Sequence, residues 1–213
     1  LGVETSLLTE LSDLAPGTVF HQSEGYWTGL PVPSIGRYVL MRTWPAPEMP
    51  RPGCVWTHAL LIEPALLESI ADLSVLQSFA IRPKSPLDRA RYSEPMEFDA
   101  SPNSGTISPV DDTTVRKLIA SLYGMISATV EVISPGELDG SLFAVWSQQW
   151  PRLRRNFRFQ TAASRTPRSI GSTRFDIKTV LAHQEIESSK QDSSEPSWVS
   201  TAVLDVQKGA NGS

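Results

Sequence analysis

An α+β fold, built as a mostly antiparallel mixed sheet with flanking helices, is what this 213-residue sequence predicts. Three observations lead there. Two apolar runs, 37–44 and 54–62, flank a short proline-rich connector, as neighbouring strands would. Two later segments, 155–161 and 173–181, alternate apolar and polar residues, the period of a half-buried strand. Between the two groups lie stretches whose apolar residues recur at helical spacing. The chain is 40% hydrophobic and 20% charged, an ordinary globular balance. It is also long enough to bury a core without a metal or disulfide staple.

Taken in order, Leu7, Leu8, Leu11 and Leu14 predict a short helix over 6–14. Residues 15–35, rich in glycine and proline, read as loop with at most a short strand. The runs 37–44 (RYVLMRTW) and 54–62 (CVWTHALLI) are apolar on nearly every position, as in strands covered on both faces. Their connector carries Pro45, Pro47, Pro50 and Pro52, so it is stiff and extended. Pro64 suits the first turn of a helix that places Leu66, Leu67, Ile70 and Leu73 on one face. Residues 83–109 read as a long surface excursion with one edge strand near Met96–Phe98.

Asp111 and Asp112 open a helix with Val115, Leu118, Ile119 and Leu122 inward, closed by Gly124. A strand is expected over 126–133. Ser134 to Glu137 then form a capping box for a helix that turns Leu138, Leu142, Val145 and Trp146 inward and is limited by Pro151. The alternating segments read as a hairpin across the loop 162–172. A last helix, 197–207, sets Val199, Val203 and Val206 on a face. The organisation expected is a single α+β domain over 1–208, with a division into lobes 1–108 and 109–208 as the alternative. Residues 209–213 read as a tail or linker. A start at Leu1 suggests a piece of a longer protein.

The net charge of −4 argues against a broadly basic surface. The one cysteine, Cys54, excludes an internal disulfide and a multi-cysteine zinc site, which points to a reducing, cytoplasmic setting. No apolar run reaches the roughly 18–20 residues that cross a bilayer, and no signal peptide is visible.

Catalytic signals are thin. Cys54 and His58 share a strand face, but four residues of strand separate their backbones by about 13 Å. A nucleophile and its base need contact at about 3 Å. Cys54 therefore reads as a small core residue. His21, His58 and His183 lack metal-ligand spacing, so neither metal nor cofactor is expected. A Walker loop, a dinucleotide fingerprint and a Gly-x-Ser-x-Gly elbow are all missing. No catalytic residue is assigned.

The segment 150–175 is more informative. It holds seven arginines and no acidic residue. Arg154, Arg155, Arg158, Arg165 and Arg168 are the expected set for binding phosphate, nucleic acid or an acidic partner, because guanidinium forks fit such groups. The competing reading pairs them with the chain's own carboxylates. Trp146, Trp150, Phe157 and Phe159 could stack bases, although their spacing fits a core face better. The proline loop offers a second site, with Glu48, Met49 and Arg51 docking a partner, since a stiff loop loses little entropy on binding. Its alternative is a loop packed back through Trp44 and Pro47.

The run Gly29-Leu30-Pro31, Gly36-Arg37-Tyr38-Val39-Leu40, Arg42-Thr43-Trp44, Ala46-Pro47-Glu48 and Arg51-Pro52-Gly53-Cys54-Val55-Trp56-Thr57-His58 resembles the amino-terminal domain of GTPase-associated protein 1. Trp150-Pro151-x-Leu153-Arg154-Arg155-x-Phe157-x-Phe159-x-Thr161 looks like a second signature of that family, and a closing helix with Trp198 is similar too. The family's usual opening hairpin is missing. The resemblance implies a bacterial conflict or anti-phage system, a GTPase or other NTPase of the same operon as partner, and a larger multi-protein assembly. It implies no catalytic residue. The resulting expectation is a non-enzymatic recognition or adaptor domain that couples a trigger to an NTPase-driven effector, without membrane contact. The alternative is an effector that binds or processes nucleic acid through the arginine segment.

Overall fold

The computed structural model describes residues 25–51, 53–85, 88, 92, 94–97, 110–124, 129–134, 138–161, 175–181 and 202–205. Strand β1 (Tyr26–Val32) passes through a single 3-10 turn, Pro33–Ile35, into β2 (Arg37–Pro45). Gly36 closes that turn at φ +62°, a left-handed conformation that glycine adopts without a Cβ penalty. β3 (Val55–Ile62) follows the proline loop. Next come helix α1 (Pro64–Ser69), a 3-10 helix (Leu73–Phe79), helix α2 (Asp112–Gly124) and strand β4 (Val130–Ser134). Helices α3 (Asp139–Gln148) and α4 (Pro151–Arg154) lead to strands β5 (Phe159–Gln160), β6 (Ile177–Leu181) and β7 (Ala202–Asp205).

The strands form one mixed sheet in the order β3-β2-β1-β5-β6-β4-β7. The β3–β2–β1–β5 part is antiparallel, with β2 paired to β3 from Tyr38↔Ile62 to Pro45↔Val55. The β5–β6–β4–β7 part is parallel. With helices packed on this sheet, the molecule is α+β, as its sequence predicts. Strands from both sides of residue 108 share the sheet through β1 and β5, where the backbone amide of Trp27 donates to Thr161 Oγ1 (2.8 Å) and that of Thr161 donates to the Trp27 carbonyl (2.9 Å).

Alternation along β2 explains why its run is apolar throughout. Tyr38 and Leu40 enter the main core beneath the helices, while Val39 and Met41 join a smaller cluster on the opposite face with Leu30, Val32 and Phe175. The main core is aromatic at its centre. Trp146 of α3 stacks on Tyr38 at 5.0 Å and tilts against Phe159 at 5.4 Å. The Tyr38 hydroxyl donates to the Phe157 carbonyl at 2.7 Å. Burial, with the Asp176 charge adding to it, raises that phenol well above its ordinary pKa. Gly29 makes the packing possible, since a Cβ there would sit 2.4 Å from Phe159 and 2.6 Å from the Tyr38 hydroxyl. At the edge of the core, Arg42 meets Asp139 at 2.6 Å and lies 5.2 Å from the Trp27 ring.

Several expectations are corrected. The capping box does not open α3, because Ser134 ends β4 and α3 starts at Asp139 with Leu138 at its N-cap and no side-chain cap bond. Residues 26–32 form a seven-residue strand inside the sheet, where the glycine- and proline-rich stretch 15–35 reads as loop with a short strand. Pro31 is tolerated because its nitrogen, like the Trp27 amide two pairs of residues earlier, faces away from β2, on the side where β5 pairs only with Thr28 and Gly29, so no ladder donor is needed there. The alternating segments do pair, but β5 and β6 run parallel, so they are no hairpin. The closing helix is replaced at Ala202–Asp205 by strand β7, parallel to β4. Its valines suit either period, and a free β4 edge decides between them. Residues 95–97 are not in a strand. The helix at 6–14, Phe98, residues 135–137 of the capping box, Trp198 and the tail 209–213 lie outside the described residues.

Candidate partner-binding surface

Two places were singled out by sequence, and their geometry differs. The proline loop is closed at its base, where the Ala46 amide donates to the Cys54 carbonyl at 2.9 Å, and is turned by Met49 donating to Ala46 at 3.1 Å. Glu48 at the tip is engaged by its own domain. Its carboxylate accepts from Trp56 Nε1 at 2.8 Å and from the Arg82 guanidinium at 2.7 and 2.9 Å. Arg82 also donates to the Pro45 carbonyl at 2.8 Å. Hydrogen bonds from its own backbone, from Trp56 and from Arg82 hold the Glu48 carboxyl below its usual range. Met49 is half-buried and Arg51 is exposed. The loop is thus clasped onto the sheet, and Arg82, which carries no sequence signal, is the residue that clasps it.

The histidine on β3 is occupied as well. His58 is buried, its Nδ1 accepts from the Ile81 amide at 3.0 Å, and its ring meets Tyr92 edge-on at 4.7 Å. Cys54 is half-buried at the strand entrance. Among the described residues no group of three or more histidine, cysteine, aspartate or glutamate side chains could hold a metal.

The arginine segment divides. Arg154 is a correction to the expected anion-binding set, because it is buried and spent internally. Its Nε donates to Gln149 O at 3.0 Å, and its terminal nitrogens donate to the carbonyls of Leu67, Ile70 and Ser147. Those carbonyls sit at the C-terminal ends of α1 and α3, where backbone acceptors lack intrahelical donors and a positive charge is favoured. Arg155 is exposed and pairs with Glu68 at 3.5 Å. The Arg158 side chain is half-buried, and its backbone amide donates to Asp176 at 2.8 Å. Arg165 and Arg168 lie outside the described residues.

Sequence spacing assigned four aromatics to one core face, which holds for Trp146, Phe157 and Phe159. Trp150 departs from them, with 78% of its surface exposed, and Leu153 beside it is 43% exposed. A signal was present, since the residue before a proline is barred from helical geometry. Trp150 has φ −54° and ψ 139°, so the chain leaves α3 before this residue and turns its side chain outward. Trp150, Arg152, Leu153 and Arg155 are all exposed around the start of α4, an apolar and cationic corner of the surface.

Comparison with known proteins adds one match. Residues 3–80 match the family model described as GTPase-associated protein 1, N-terminal domain type 1. The matched stretch contains β1, β2, β3, α1 and the 3-10 helix, and ends before the arginine segment. No curated protein and no solved structure matches the chain. No helix among the described residues is long and apolar enough to cross a membrane.

Proposed function

We propose that this chain is a non-enzymatic recognition domain of a bacterial GTPase-associated conflict system, coupling a trigger to an NTPase-driven effector in the cytoplasm. The family match over residues 3–80 carries the reading. The hydrogen bonds of His58 and Glu48 within this domain fit that reading. The partner is a GTPase, or another NTPase of the same operon, within a larger assembly. Size-exclusion chromatography of the chain mixed with that GTPase tests this, and a complex of fixed stoichiometry is expected. Two separate peaks with either nucleotide bound to the GTPase would sink the reading.

A nucleic-acid effector is the second reading, favoured by exposed Trp150 beside Arg152 and Arg155. Binding through phosphates would weaken steeply with salt as counterions are released. A chain that ignores single- and double-stranded DNA and RNA at low salt removes it.

A further inference from the structure

We propose that the corner at the start of α4 is a docking site for an acidic segment of a partner protein that carries one large apolar side chain. The inference rests on the recognition reading above only in taking the partner to be a protein. Trp150 and Leu153 are exposed and one helical turn apart, so they form a single apolar ridge. Arg152 is exposed on the same short helix, between them in sequence, and among the described residues no carboxylate pairs with it. Arg155 flanks the ridge in a solvent-facing pair with Glu68, whose modest strength lets an incoming carboxylate compete.

The backbone under this ridge is held firmly. Pro151 restricts φ, and the Trp150 carbonyl accepts from the amides of Leu153 (2.7 Å) and Arg154 (3.2 Å). Beneath, the buried Arg154 side chain ties the corner to α1 and α3. A tryptophan presented on fixed backbone loses little freedom when covered. Tryptophan and arginine are also the side chains that dominate binding energy at protein interfaces.

Charge complementarity selects the occupant. Exposed guanidinium groups beside an apolar ridge match carboxylates flanking an apolar anchor. A nucleic acid fits less well. Leu153 offers no ring to stack on a base, Arg154 is buried and Arg155 is shared with Glu68, so the corner lacks the run of free cations and rings that tracks a phosphate backbone.

The test pans a random dodecapeptide library on the immobilised full chain, with counter-selection on Trp150→Ala. Because Trp150 is mostly exposed, that variant should keep the parental melting temperature. Recovered peptides are expected to be rich in Asp and Glu around one large apolar residue. Fluorescence anisotropy should show roughly tenfold weaker binding to Trp150→Ala and to Arg152→Glu. The proposal is overturned if no peptide depends on Trp150, or if those that do lack acidic residues. Tighter binding of a fifteen-residue oligothymidine at about 0.15 M salt, or chain self-association abolished by Trp150→Ala, would equally overturn it. Panning needs no GTPase, so its failure and that of the complex above are separately visible.

Discussion

Arg154 shows how one side chain can be read correctly as chemistry and wrongly as place. A guanidinium presents five donors in a fixed fork, and here the fork meets the carbonyl ends of two helices rather than an external anion. Replacing it by Met would orphan those buried acceptors, and a loss of about 3 kcal/mol in denaturant unfolding is expected. Arg154→Lys should recover only part of this, since a single ammonium cannot reach both helix ends. Equal stability of the Lys variant and the parent would show that the fork geometry is unimportant. Gly29 is a second decisive residue. Gly29→Ala pushes a methyl into Phe159 and the Tyr38 hydroxyl, and overpacking of this kind should cost about 1–3 kcal/mol.

At the scale of an element, the proline loop depends on a carboxylate clasp. The folded-state pKa of Glu48 lies below its ordinary value of 4.5, so the clasp contributes in full above that value. Its contribution is lost as pH falls through the lower folded value. Glu48→Gln removes the titrating charge. Melting temperatures of parent and variant should therefore differ above about pH 5 and converge as the parent carboxylate protonates. A gap that persists unchanged into strong acid would mean that the clasp owes nothing to the Glu48 charge. Freed from Glu48, the Trp56 indole should also change its fluorescence over the same interval.

At the scale of the molecule, the sheet and the larger apolar cluster bridge residue 108, the boundary between the alternative lobes. Tyr38, Leu40 and Leu67 from before residue 108 pack with Leu118, Phe143 and Trp146 from after it. A protein cut at residue 108 would strand half of that surface in water. The fragment 1–108 is expected to lose cooperative thermal unfolding and to bind a hydrophobic dye. A sharp, reversible melt of that fragment would instead support independent lobes.

The sequence by itself determined those features whose cause is local. The strands β2 and β3 and the inward face of α3 follow from apolar period and proline, and the start of α2 from the Asp111 cap, all within a few positions. The family string at 29–58 is equally local, and the family match covers it. Tertiary structure alone decided what depends on partners far along the chain. The parallel pairing of β5 with β6, the choice of strand over helix at 202–205 and the central place of β1 each require a neighbour that no local window contains. The same holds at the candidate surface. Seven arginines were visible as a run, but whether each faces water, a carboxylate or a helix end is set by what packs around it. Charge is a property of the residue, whereas its availability is a property of the fold.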